Sequence, residues 1–110
     1  MSTVKAITSL DEWKEIVNSS HPVVIQFWAT WSGPSKTIKP VFEKFSDEAA
    51  YEAVGFYKVD VDDQPAVAED VGIRTMPAFV LYKDGEKVET VTGANPTNVQ
   101  GLITKAASLV

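Results

Sequence analysis

The hydrophobic positions of this chain follow two periods in alternation. Val4-Lys5-Ala6-Ile7 reads as a short first strand. Ser9 with Glu12 three residues later is a capping-box signal, and it predicts a helix whose apolar face is Leu10, Trp13, Ile16 and Val17. Asn18 to Pro22 ends that helix, since a proline disfavours helical geometry in the residue before it. Val23-Val24-Ile25-Gln26-Phe27-Trp28 is apolar except at Gln26, the pattern of a strand buried on both faces. Ile38, Val41, Phe42 and Phe45 share one helical face, which predicts a second helix from about Ser35 to Ala50. Pro40 lies inside it and should kink rather than end it, because the pattern continues past the proline.

The second half begins with a strand over Gly55 to Val61, centred on Phe56-Tyr57-Lys58-Val59. A short helix from Pro65 to Val71 stops at Gly72. Ala78 to Tyr82 and Val88 to Thr92 are strands joined across Asp84-Gly85, a strong hairpin signal. Asn95-Pro96 is a helix cap followed by a first-turn proline, and Val99, Leu102, Ile103 and Ala106 form the apolar face of the last helix. The order is β-α-β-α-β-α-β-β-α, an α/β arrangement with parallel crossovers first and an antiparallel hairpin last. It predicts a mixed sheet with helices on both faces.

The chain has 110 residues, with no linker, repeat or low-complexity tract, and a single domain over 1–110 is expected. Fifteen acidic against ten basic residues leave a formal net charge of −5, which argues against a nucleic acid or an anionic membrane as general partner. Met1 to Leu10 lacks the long apolar run of a signal peptide, which points to the cytoplasm. There is no cysteine, so disulfides, thiolate metal sites and thiol chemistry are all excluded for this chain.

Trp31-Ser32-Gly33-Pro34-Ser35-Lys36 falls where the buried strand ends and the second helix begins, a favoured place for function in open α/β folds. The unpaired first-turn amides of the helix concentrate partial positive charge there. With Phe27-Trp28-Ala29-Thr30 before it, this segment resembles the active-site segment of the thioredoxin family, Trp-Cys-Gly-Pro-Cys-Lys, with serine at both cysteine positions. The resemblance continues through Lys58 and Asp60, through Met76-Pro77 with Ala78 to Gly85, and through Thr92-Gly93-Ala94. It covers essentially the whole chain, and Ala29-Thr30-Trp31 is similar in style to eukaryotic cytosolic members.

The resemblance implies the thioredoxin fold, five strands flanked by four helices, with a cis-proline at Pro77 before the fourth strand. It implies a protein disulfide reductant: the group at position 32 attacks a substrate disulfide, the group at 35 resolves the mixed disulfide, and thioredoxin reductase returns the pair to dithiol with NADPH. No cofactor of the chain's own is called for. A free cysteine has a pKa of about 8.5, lowered toward about 7 in such a motif. Ser32 and Ser35 form neither a comparable anion nor a bridge, so this chain is expected to be redox-inactive. Either the serines are engineered replacements, the reading the intact surroundings favour, or the chain is a natural redox-dead relative.

Gln26 stands where many members of the family carry a buried Asp that moves a proton to or from the inner thiol. A glutamine amide cannot exchange protons, and a satisfied buried amide is its simplest role. Lys58 belongs to the same catalytic neighbourhood by resemblance. Trp31, Gly33, Pro34, Thr75, Met76, Pro77, Gly93 and Ala94 would line the substrate groove, where an extended Thr75-Met76 backbone can pair with a substrate strand. Arg74-Thr75 replaces the region where some relatives dimerise through a cysteine, and a monomer is expected. His21 is the sole histidine and no Gly-x-Ser-x-Gly elbow is present, so a serine hydrolase is disfavoured. Asp60, Asp62 and Asp63 lack calcium-loop spacing and read as a solvated turn, with Asp63 a candidate cap for the short helix. Two functions follow: a disabled disulfide oxidoreductase, or a redox-independent protein-binding module using the same groove.

Overall fold

The computed structural model describes residues 3–110. Among them, five strands and four α-helices appear in the predicted order: β1 (Lys5–Ala6), α1 (Leu10–Val17), β2 (Val23–Trp28), α2 (Gly33–Ser46), β3 (Gly55–Asp60), α3 (Pro65–Val71), β4 (Ala78–Lys83), β5 (Glu86–Thr92) and α4 (Pro96–Ser108). They form one sheet ordered β1-β3-β2-β4-β5. The β1, β3 and β2 strands run parallel, while β4 and β5 are antiparallel to their neighbours. No helix among the described residues is long and apolar enough to cross a membrane.

The alternation within β2 sorts the two cores. Val23, Ile25 and Phe27 face a layer holding Trp13 and Val17 of α1 and Val67 and Val71 of α3. Val24 faces the other way, into a layer with Ile38 and Phe42 of α2 and Val99, Leu102, Ile103 and Ala106 of α4. Gln26 shares the side of Val24, so the polar residue of the strand looks toward α2. The rings of Trp13 and Phe42 centre the two layers. Trp13 meets Phe27 and Tyr82 edge-on at centroid distances of 5.8 and 5.2 Å, and Phe42 meets Phe56 and Phe79 at 5.5 and 5.2 Å.

Local details depart from expectation at element ends. The α2 helix starts two residues earlier than predicted, because Ser32 caps it: the Ser35 amide donates to Ser32 Oγ at 3.2 Å. It runs through Pro40 and stops at Ser46, and the stretch expected to finish it instead forms a short 3-10 turn, Ala49–Tyr51. Asp63 does not cap α3; Gln64 holds that position without a side-chain cap, and Asp60 Oδ1 accepts the amides of Asp62 and Asp63 at 2.9 and 3.3 Å. The hairpin takes up Lys83 and Glu86, leaving Asp84 (φ 55°) and Gly85 (φ 81°) as a two-residue turn with both residues left-handed.

Candidate functional site

The site assembles at the C-terminal end of β2. Ser32 is the N-cap of α2, with extended backbone (φ −93°, ψ 109°), and Pro34 occupies the first turn, where a missing amide costs no hydrogen bond. The Lys36 amide donates to the Ser32 carbonyl at 3.3 Å, and Ser32 is itself fixed by its amide to the Ala29 carbonyl at 3.1 Å. Ser32 is 6% exposed and Ser35 1%. The outer hydroxyl is used as a cap, whereas the inner one, Ser35 Oγ, is buried without a hydrogen-bond partner. A residue in this N-cap position faces the positive end of the helix dipole, which favours a negative atom there.

Behind this turn lies a cavity of about 350 Å³ lined by Gln26, Trp28, Ser35, Lys36, Lys39 and Lys58. Gln26 pairs in register with Lys58 across β2 and β3, on the sheet face toward α2. Gln26 is 2% exposed, and its side-chain amide is not among the buried polar atoms left without a partner. The indole nitrogen of Trp28 is buried and unpartnered. A larger open cleft, about 510 Å³ beside Lys5, Ser46 and Gly55, lies at the N-terminal end of β3, away from this chemistry.

The remaining candidate residues form the outer rim. Trp31 is 68% exposed, and its indole nitrogen donates to Asp62 Oδ2 at 2.9 Å. Gly33 and Pro34 are exposed beside it. The Met76–Pro77 peptide is cis, and Pro77 is buried. Because Ala78 pairs with Phe27 near the end of β2, Pro77 arrives at the same sheet end as the Ser32 turn. The Gly93 amide donates to the Pro77 carbonyl at 2.9 Å, joining the two groove candidates from β4 and β5; Gly93 has φ 92°, a backbone that favours glycine. Thr75 is exposed, Met76 half-buried against the α1–α3 layer, and Ala94 half-buried against the other.

Two groups of residues thus lie at this sheet end, Gln26, Ser35 and Lys58 inside and Trp31, Gly33 and Pro34 with Thr75 to Pro77 and Gly93 to Ala94 outside, and Ser32 stands between them. The sequence reading missed Asp62 as the anchor of Trp31, and Lys36 and Lys39 as cavity walls. Lys39 follows Ser35 by four residues, one turn along the same helix face, and that spacing was the available signal. No cluster of metal-ligating side chains occurs among the described residues.

The thioredoxin family profile matches residues 4–105. A thioredoxin of Malassezia sympodialis is 54% identical over 102 residues, covering 93% of this chain and 97% of that protein. Thioredoxin-1 of Schizosaccharomyces pombe is 45% identical, covering 91% and 95%. The crystal structure of Malassezia sympodialis thioredoxin superposes with a TM-score of 0.94 at 51% identity, over 97% of this chain and 93% of that one. With a profile spanning nearly the whole sequence and relatives similar along their full length, the chain belongs to the thioredoxin family.

Proposed function

We propose that this chain is a thioredoxin-type protein disulfide oxidoreductase scaffold whose electron transfer is disabled by Ser32 and Ser35. The observation that carries the reading is the helix-capping position of Ser32 with Ser35 buried one turn behind it, in a chain without cysteine. In a dithiol version, a thiolate at 32 attacks one sulfur of a substrate disulfide, and the other sulfur leaves as a thiolate. The thiol at 35 then gives up its proton and attacks the sulfur at 32, which releases the reduced substrate and leaves a 32–35 disulfide. Serine oxygen supplies neither the thiolate nor the bridge. In this reading Trp31, Gly33, Pro34, Thr75, Met76, Pro77, Gly93 and Ala94 hold the substrate chain, while Gln26 and Lys58 flank the inner group. The partners are disulfide-containing proteins and thioredoxin reductase, the setting is cytoplasmic, and the chain acts as one monomeric domain over 1–110.

The test is restoration. Ser32→Cys with Ser35→Cys should reduce insulin disulfides in the presence of dithiothreitol, whereas the parent chain should not exceed the uncatalysed rate. Ser32→Cys alone should trap mixed disulfides with target proteins. A double-cysteine variant that folds but leaves insulin reduction at background overturns the reading.

The exposed Trp31 supports a second function, a redox-independent binding module, since a large apolar side chain standing 68% free beside the groove can dock a partner without electron transfer. Titration of thioredoxin reductase against the parent chain separates the two. Tight binding that Trp31→Ala abolishes supports the module, and weak binding supports the disabled enzyme.

A further inference from the structure

The cavity behind the Ser32 turn has an unusual donor balance. Its side chains are Trp28, which can only donate, three lysines, which can only donate, and Ser35 and Gln26, which can do either. No carboxylate lines it, and none of Lys36, Lys39 and Lys58 forms an ion pair among the described residues. Two polar atoms of the lining residues, Trp28 Nε1 and Ser35 Oγ, are buried with no partner among the described residues. A buried donor left unmatched costs about 1–3 kcal/mol, so the lining stores a demand for an acceptor. Water can answer that demand in part, but each molecule also brings two donors that need acceptors of their own. A carboxylate answers it well, because it only accepts.

Size and surface narrow the ligand. A volume of about 350 Å³ exceeds the space of a single water several-fold and enters the range of small-molecule pockets, about 300–1,000 Å³. The Trp28 ring and the methylene stems of three lysines give the walls an apolar character beneath the charges. The overall charge of −5 does not oppose an anion here, since surface charges beyond about 10 Å are screened at physiological salt while the three lysines are local. We infer that this cavity is a binding site for a small organic carboxylate with an apolar body. The carboxylate takes hydrogen bonds from the donors around Ser35, Trp28 and Gln26, and the lysines neutralise it. Gln26 is what makes the site possible: an acidic side chain at that position would put a negative charge inside the cavity and repel the ligand. The site is independent of the electron-transfer reading and stands or falls separately from it.

Benzoate is the probe, and the three tryptophans are the reporters. The indole N–H groups of Trp13 and Trp31 already donate to Asp70 and Asp62, at 3.3 and 2.9 Å, whereas that of Trp28 is free. In ¹H–¹⁵N spectra of the full chain, benzoate should move the Trp28 indole signal downfield and saturate at about millimolar concentration. The Trp13 and Trp31 signals should stay in place. Benzamide, the neutral analogue, and inorganic phosphate, an anion without an apolar body, should each bind at least tenfold more weakly. Lys58→Met should weaken benzoate about tenfold and Gln26→Glu should abolish binding, while Lys105→Met, outside the cavity, should change nothing. Unmoved Trp13 and Trp31 signals certify the fold of each variant, and Lys39→Met, expected to weaken benzoate several-fold, replaces any that misfolds. A Trp28 signal indifferent to benzoate overturns the proposal. So does equal binding of benzamide, which would make the cavity merely apolar, or of phosphate, which would make it merely cationic.

Discussion

At the residue scale, small changes of side-chain chemistry have large consequences because their surroundings are closed. Ser32 caps α2 through its hydroxyl, and with serine at 32 and 35 the chain has no thiol to exchange. Gln26 is a second such position. In the double-cysteine background, Gln26→Asp should raise the rate of disulfide reduction near neutral pH, measured as the pH profile of insulin turbidity, because a buried carboxyl has a raised pKa suited to moving a proton. An unchanged profile would mean that water or Lys58 suffices. Tyr82 offers a pH effect on stability instead. Burial, and then the nearby negative charge of Asp70, hold its hydroxyl above the ordinary value of 10.0. Above pH 10 the unfolded chain gives up this proton first, so the unfolded state binds fewer protons and stability falls as pH rises further. Tyr82→Phe should flatten that decline above pH 10 in urea titrations, provided Asp70 keeps its bond from the Trp13 indole.

At the element scale, helix ends carry the local logic. Ser9 Oγ accepts the Glu12 amide at 3.1 Å, as the capping box requires, but Glu12 reaches one residue further back and accepts the amide of Thr8 at 2.7 Å. Asn95 Oδ1 accepts the Asn98 amide at 3.1 Å at the start of α4. Asn95→Ala should lower the unfolding free energy by about 1 kcal/mol, measured by chemical denaturation, without altering the spectrum of the folded state. The β4–β5 turn is anchored from outside as well as from within: the Asp84 and Gly85 amides donate to the carbonyls of Ser19 and Val17, at 3.0 and 2.8 Å. A side chain at Gly85 would meet the Asn18 side chain at 2.5 Å as well as requiring φ 81°, so the glycine is demanded twice.

At the scale of the whole molecule, the sheet divides two hydrophobic layers and places the site where the layers end. Phe42 is fully buried in the α2–α4 layer against Phe56 and Phe79. Phe42→Ala should cost about 3–5 kcal/mol, read from the denaturation midpoint, because both the lost burial and the residual cavity count. The same helix supplies Ser35, Lys36 and Lys39 to the cavity, so loosening its seat should also broaden the Trp28 indole signal.

Much of this was legible along the chain. The strand and helix periods located every strand and α-helix, though not the 3-10 turn at Ala49–Tyr51; Gln26 stood out as polar in an apolar strand, and the Asp84-Gly85 and Asn95-Pro96 signals read true because turn and cap chemistry is local. Helix lengths were less legible: the end of α2 depends on where residues 47–54 turn to deliver Gly55 beside Val23, a pairing between distant segments. Ser32, Ser35, Gln26 and Lys58 were recognisable as residues, but not their states. Which hydroxyl caps a helix, which donors are buried without acceptors and which lysines wall a cavity all depend on the packing of α2 over β2 and β3. The sequence by itself determined the elements, the family and the absence of cysteine, because periodicity, caps and composition belong to neighbouring residues. The tertiary structure alone decided the donor-rich cavity, because hydrogen-bond satisfaction and desolvation arise only when segments far apart in the chain exclude water together.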